Sequence, residues 1–358
     1  MIIYFALICL ISVLYIALKN KRKLFFVLTG ILFCIVVGLR DISVGVDTSN
    51  YVHMYLYNTE NYINALEKNS VSLIGFFLND YLYFIYCHIL LSLGFNERMF
   101  LVMSTAIMAY LLLRFLYKYS ENDYLCILSF IMIGMFTYLF SGIRQGIAVS
   151  LFTLSYDYII DKKPWKFIIV TIIAMGFHIS AIVTLPAYIL VRILKKVKIE
   201  YSILMCCFLG FLTSDVIYFM LGRLNLGVRF SGYLCPDAVR TNPLVVVFYV
   251  CIAVLCTFLQ KDKNADSSGY EVGKIFFTMY SIGVGIIIVS LRNTIISRFA
   301  LYYLLVLPIV LANSIKQTRI VKNRIVYSVS CVAIEILYFM VSVPSSYLNI
   351  INYRFFWQ

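Results

Sequence analysis

Apolar runs of roughly membrane-spanning length recur along this chain from one end to the other, with short basic clusters rather than polar domains between them. A helix needs about 20 apolar residues to cross the hydrocarbon layer, and fewer where its end residues snorkel. Such runs lie near 2–18, 24–39, 80–94, 98–117, 124–140, 146–160, 167–176, 181–194, 201–221, 243–260, 275–291, 295–312 and 325–343. Only 13% of the residues are charged and the mean hydropathy is +0.91, so no stretch can solvate a separate soluble domain. The expected fold is an all-α polytopic membrane protein with about 12–14 transmembrane helices and a re-entrant or interfacial segment. Residues 1–358 read as a single integral membrane domain.

The net charge of +13 fixes orientation rather than implying a nucleic-acid partner, because most Lys and Arg fall in clusters between spans. Clusters at 19–23, 161–166, 195–198, 261–263 and 316–324 are expected on the cytoplasmic side. The start is not read as a cleavable signal peptide, since its apolar run is followed, not preceded, by basic residues and lacks a small-residue cleavage site. Residues 40–79 then form a first outer loop with an interfacial helix, carrying Tyr51, Tyr55, Tyr57 and Tyr62, and 222–242 form a second outer loop. Nine of the ten cysteines lie in apolar segments without metal-type spacing and read as small buried hydrophobes, with Cys235 in the second loop.

Span parity fails in one place. Five candidate runs lie between Lys23 and Asp161, whereas two cytoplasmic ends require an even number. Either 80–94 or 146–160 is re-entrant, or Val71–Leu78 dips into the bilayer before Asn79–Asp80. Non-helical backbone at that depth is tolerated only where protein or a watery cavity surrounds it, so the mismatch marks a candidate active region. Parity alone leaves the side of Arg144 open.

Four arginines, Arg40, Arg144, Arg229 and Arg298, stand at or beside span ends and outside the basic clusters. A guanidinium there needs a partner, and its fork suits phosphate. Arg40 opens a polar constellation with Asp41, Gly45, Asp47, Thr48 and Tyr51, in which glycine permits a tight turn or close backbone approach. A solvated loop with an Arg40 ion pair is the plainer alternative. Arg144 and Gln145 lie between glycines, and His178 occupies a sharp turn. Histidine suits proton transfer near neutrality, which makes His178 the first candidate base and Asp47 the second. Arg229 and Arg298 each precede a tyrosine, Tyr233 and Tyr302, by four residues, a same-face spacing on a helix.

The ordered set Gly38–Tyr51, Ile143–Ala148, Gly176–Pro186 and Arg298–Tyr302 resembles the EpsG family of Wzy-like polysaccharide polymerases over essentially the whole chain. No outer loop is as large as those of the better-known O-antigen polymerases. The resemblance implies a C-type, metal-independent glycosyltransferase fold and no cofactor. It also implies joining of undecaprenyl-diphosphate-linked repeat units at the outer face of the bacterial cytoplasmic membrane, for capsule, exopolysaccharide or O-antigen. Partners would be the lipid-linked glycans, the bilayer, a chain-length regulator and a flippase of the same pathway. On that reading Arg40, Asp41, Thr48, Tyr51, Arg144, Gln145, Arg229, Tyr233, Arg298 and Tyr302 bind substrate, with His178 and Asp47 catalytic. A lipid-linked oligosaccharide flippase and an O-antigen-type ligase are the alternatives.

Overall fold

The structure, a computed structural model, describes residues 2–68, 70–223, 240–260, 268–318, 321–345 and 349–358. These are helical and membrane-embedded in character, and they divide into two compact units: Met1–Ile182 with Cys331–Gln358, and Val183–Ser330. The first unit contains α1 (Ile2–Ala17), α2 (Arg22–Phe33, prolonged by a wider turn over Cys34–Gly38), α3 (Thr48–His53), α4 (Thr59–Glu67), α5 (Leu73–Leu78), α6 (Tyr81–Ser92) and α7 (Glu97–Tyr119). It continues with α8 (Asp123–Met132), α9 (Tyr138–Ser141), α10 (Ile143–Ile160) and α11 (Pro164–Phe177), and ends with the later part of helix Val321–Ser345 and an irregular segment.

Local chemistry sets these boundaries. Asn96 caps α7 by accepting from Met99 N at 3.0 Å, with Glu97 in the first turn and Lys118 in the last, as the helix dipole favours. Asn122 caps α8, and Pro164 starts α11 where its missing N–H costs nothing. Helices form at every apolar run, but two runs are broken. The stretch 124–140 bends at Gly134 (φ +84°), and 295–312 bends by 47° between Leu304 and Leu307, just before Pro308. Four described helices are long and apolar enough to cross a bilayer unaided: Glu97–Tyr119, Ile199–Val216, Gly269–Val289 and Asn323–Ser342. The bent pair makes five. Apolar runs therefore outnumber full-length spans among the described residues, because turns shorten the others below a membrane thickness.

Contacts inside the first unit order its helix ends. Arg22 grips the Asp123 carboxylate with two nitrogens, at 2.6 and 2.8 Å, and donates to the carbonyls of Tyr117 and Ser120. Asp157 accepts from Arg114 at 2.9 Å and from the Tyr119 hydroxyl, and pairs with Lys118 at 3.0 Å. The starts of α2 and α8 thus share one end with the finishes of α7 and α10, where the clusters 19–23 and 161–166 lie. At the opposite end Gly38 packs against Val102, Arg40 donates to Phe140 O at 2.7 Å, and Tyr55 donates to Phe95 O at 2.6 Å.

Between the two basic clusters α7 is the one described helix long and apolar enough to cross a bilayer, and α6 is shorter. It starts at Asp80 beside Arg144, finishes at Ser92, and turns through Gly94 (φ +78°) into the head of α7. Gly146, half a turn beyond Arg144, abuts Met108, the twelfth residue of α7. The foot of α6 therefore lies about 16 Å along α7 from Glu97. Arg144 lies on the half away from the basic clusters.

The second unit contains α12 (Ala187–Leu194), α13 (Ile199–Arg223), α14 (Pro243–Gln260), α15 (Ser268–Val289), α16 (Ser297–Leu304) and α17 (Leu307–Lys316). Its centre is a close crossing of α13 and α15. A Cβ on Gly210 would meet Gly285 O at 2.4 Å, and one on Gly285 would meet Cys206 O at 2.8 Å. Small residues at such a crossing let two membrane helices gain dispersion contact where burial from water supplies no drive.

Candidate functional site

A single buried carboxylate organises a polar cluster at the foot of α6. Asp80 is fully buried (0% exposed) and adopts a left-handed backbone, φ 55° and ψ 43°, which Asp tolerates better than most residues. In that conformation its side chain does not cap α6 but turns toward two other helices. Arg144 Nη1, on the first turn of α10, donates to Asp80 Oδ2 at 2.9 Å. His178 Nδ1, just past the end of α11, is 3.4 Å from the same oxygen. The Ile179 N–H donates to Oδ1 at 3.1 Å.

This cluster forms because α11 stops. His178 has extended backbone (φ −158°, ψ 121°), and a tight helical turn over Ile179–Thr184 follows, bringing the ring and the next N–H to one acceptor. Gly176 allows the approach, since a Cβ there would lie 3.0 Å from Leu82 on α6. Buried charges of opposite sign with additional hydrogen bonds hold together strongly, and removing one member leaves the other uncompensated at about 3–5 kcal/mol.

Two tyrosines complete the surroundings. The Arg144 guanidinium lies 5.5 Å from the Tyr51 ring centroid and 5.7 Å from that of Tyr83, and the two rings meet edge-on at 6.1 Å. Arg144 Nε is buried without a hydrogen-bond acceptor among the described residues. The side chains of Arg144 and His178 retain 13% and 20% exposure, while Asp80 has none. Chemically the group offers a cation with an unused donor, and an imidazole oriented by a carboxylate. With Nδ1–H directed at Asp80, the neutral ring carries its lone pair on Nε2.

Arg40 has a different setting. It is 2% exposed, and its fork donates to backbone carbonyls: Nε to Val44 O at 3.2 Å, Nη1 to Val37 O, and Nη2 to Phe140 O at 2.7 Å. Thr48 Oγ1 accepts from Arg40 Nη2 at 3.3 Å and donates to Val44 O at 2.7 Å. Arg40 and Thr48 thus fasten the loop after α2 to the end of α9. Asp41 closes a turn by accepting from the Ser43 hydroxyl at 2.6 Å and the Ser43 N–H at 2.9 Å, which holds its carboxyl below the usual value. Asp47, half-buried at the head of α3, pairs with no cation among the described residues. Gln145 is buried next to Arg144 on α10.

Gly45 is indispensable to this loop on two counts. Its φ is +93°, and a Cβ would lie 2.6 Å from both Phe140 O and Thr48 Oγ1. Gly45→Ala is expected to lower stability by about 1–3 kcal/mol or more, read as a drop of several degrees in the unfolding midpoint of the detergent-solubilised protein. Gly94→Ala is the control: its φ is +78° but no atom lies within 4 Å, so the fall should be smaller.

The sequence candidates therefore divide. Tyr51, Arg144 and His178 meet around Asp80, and Arg40 pairs with Thr48. Arg298 and Tyr302 belong to the second unit, on α16, with Tyr302 fully buried and Arg298 partly exposed. Arg229 and Tyr233 lie outside the described residues. Sequence reasoning noted Asp80 only as a helix boundary and did not single out Tyr83. The available signal was that Asp80 is the one acidic residue between Glu67 and Glu97, at the head of an apolar run, where an acid is a functional candidate by default.

No curated protein and no solved structure matches the chain. A family match does exist, and it runs through the Arg40 loop, the Asp80 cluster and the Arg298 helix alike. The sequence model of the EpsG family fits residues 23–355, across both units, and the chain belongs to the EpsG family.

Proposed function

We propose that this protein is a polysaccharide polymerase that joins lipid-linked repeat units, with the cluster of Asp80, Arg144 and His178 as its reaction centre. The observation that carries the reading is that one buried carboxylate orients both a cation suited to phosphate and an imidazole suited to proton transfer. Family membership supports a role in repeat-unit polymerisation in general. The finer reading takes undecaprenyl-diphosphate-linked oligosaccharides as donor and acceptor. An acceptor sugar hydroxyl attacks the donor anomeric carbon, the bond from that carbon to the diphosphate breaks, and undecaprenyl diphosphate leaves with the electron pair.

His178 takes the hydroxyl proton through Nε2, for which general-base catalysis is worth about 10²–10⁴-fold. Arg144 stabilises charge on the departing diphosphate, a contribution of about 10²–10³-fold for a single well-placed donor. Tyr51 supplies a hydroxyl beside Arg144. Arg298 and Tyr302, with Arg229 and Tyr233, are assigned to further contacts with diphosphate and sugar. Arg40, Asp41 and Thr48 are assigned to holding the loop that carries Tyr51. A single displacement of this kind inverts the anomeric centre. With basic clusters inside, the Asp80 group lies toward the outer face of the cytoplasmic membrane.

Reconstituted protein supplied with purified lipid-linked repeat units tests the reading. The wild type should give a ladder of products, and His178→Ala should lower its rate by about 10²–10⁴-fold at normal expression. Arg298→Ala should lower it as well.

A lipid-linked oligosaccharide transporter is a second reading with one observation in its favour, the depth of the Asp80 cluster below the head of α7. A folded wild type that moves substrate across the bilayer without forming a ladder would select the transporter and sink the polymerase.

A further inference from the structure

From Cys331 onward the last helix, Val321–Ser345, belongs to the first unit, and it docks there by a narrow seam. Cys331, Glu335 and Phe339, spaced four apart on one face, are buried, whereas Ile334, Leu337 and Met340 around them are exposed. Glu335, at the middle of the seam, is 0% exposed. The helix thus buries a carboxyl inside a span long and apolar enough to cross a bilayer. An acid in such a position is a functional candidate by default.

Neither carboxyl oxygen of Glu335 has a well-formed hydrogen bond among the described residues. The Ser129 hydroxyl of α8 stands beside the carboxyl, and it too lacks a well-formed hydrogen bond. The titratable groups facing Glu335 are two buried thiols, Cys126, about one turn before Ser129 on α8, and Cys331 on its own helix. Neither is a cation. α1 packs on the same helix through Tyr4 and Phe5, whose rings lie 6.1 and 6.4 Å from Phe339, and it contains no acidic or basic residue. At the head of α8, Arg22 is already committed to Asp123 through two nitrogens. Arg324 stands about three turns back along the last helix.

We propose that Glu335 is an intramembrane proton-binding site, which holds an exchangeable proton between the last helix and Ser129 of α8. A buried carboxylate without a counter-ion is costly, and the described residues place no cation beside this one, so a proton from water is the ion that neutralises it. The neutral acid also suits Ser129. A carboxylate can only accept, whereas the acid has an O–H to donate to the serine oxygen, and that one bond ties the two helices together. Residues 349–358, beyond the same helix, fasten the loop after α2: Asn349 O accepts from Gly45 N at 3.1 Å, and Arg354 O from Asp41 N at 2.9 Å. Tyr4 joins the two places, since its ring meets Phe339 and its hydroxyl donates to Ile350 O at 2.7 Å. The Asp80 carboxylate is a different case, its charge being met by Arg144.

The test uses the full chain in nanodiscs. Infrared spectra at neutral pH should show the C=O band of a protonated carboxyl in the wild type that Glu335→Gln lacks. Transfer into heavy water should shift that band, which marks the proton as exchangeable. Ser129→Ala should move it again with its area kept, because the acid loses its acceptor. A hydrophobic carbodiimide gives a second readout that needs no variant. The acid proton passes to a carbodiimide nitrogen while the carboxyl oxygen bonds to the central carbon, and peptide mass maps the adduct to Glu335. This labelling should slow severalfold as pH is raised. A carboxylate band in place of the acid band overturns the proton site, and so does labelling that is absent or indifferent to pH. Labelling that sodium ions suppress at constant pH overturns it in favour of a sodium site.

Discussion

Asp80→Asn is expected to reduce polymerisation by about 10²–10⁴-fold while the protein still folds and inserts. Asparagine matches aspartate in shape and is also tolerated in the left-handed conformation that Asp80 adopts (φ 55°), so the turn into α6 survives. What changes is charge and hydrogen-bond character. The amide offers one acceptor oxygen where the carboxylate presents two, yet Arg144, His178 and the Ile179 N–H all converge there. An NH₂ facing His178 favours the tautomer with its lone pair on Nδ1, which removes the base from Nε2. Arg144 meanwhile loses its counter-charge in a buried site.

Asp80 acts through its two neighbours, which makes it a positioning residue, and a double-mutant cycle separates that role from simple scaffolding. His178→Ala in the Asp80→Asn background should cost little beyond either change alone. Full additivity of the two losses, with the ladder falling by the product of the single effects, would overturn the coupling. Asp80→Ala should lower yield and thermal stability further, because it removes the hydrogen-bond acceptor of Arg144 and the Ile179 N–H as well as the counter-charge.

Much of the architecture was legible because hydrophobic pattern is a one-dimensional signal. The helices α7, α8, α10, α11, α13 and α15 follow from apolar runs, and the starts of α7, α8 and α11 follow from Asn96, Asn122 and Pro164, residues whose capping chemistry is local. Parity arithmetic also exposed a misfit between Lys23 and Asp161. It could not name the culprit, since 80–94 and 146–160 have similar composition and length. The pairing of Asp80 with Arg144, separated by 64 residues, is a contact that no local pattern announces.

The same limit applies to the arginines. Arg40 and Arg144 looked alike as cations beside span ends, and nothing local tells that one faces carbonyls and the other a carboxylate. Asp80 was overlooked for a related reason. A lone acid at a helix start reads as an N-cap, and its true partners come from α10 and from the break after α11.

Arg40→Leu is expected to prevent accumulation of folded protein, and Arg40→Lys to lower stability by several kcal/mol. Three backbone carbonyls, of Val37, Val44 and Phe140, accept from this guanidinium; the Thr48 hydroxyl also reaches the last two, whereas a buried acceptor left unmade costs about 1–3 kcal/mol and a buried planar cation is lost with it. Lysine keeps the charge but offers one compact donor group on a flexible stem, which cannot reproduce a planar fork reaching carbonyls in three directions. The opposite result would be informative. An Arg40→Lys protein with an unchanged unfolding midpoint and a raised KM for lipid-linked substrate would return Arg40 to diphosphate binding, the role its position in the sequence suggested.

The structural reading makes a second demand that a ligand role does not. Because the Arg40 backbone also pairs with Phe355, loosening this residue should release residues 349–358, and Trp357 emission in the Trp165→Phe background should shift before global unfolding begins. Local release at a lower temperature than the main transition is expected for the bonds this segment makes to the loop at Asp41, Ser43 and Gly45, while Tyr4 and Tyr353 still tie it to α1 and to the turn that prolongs α2.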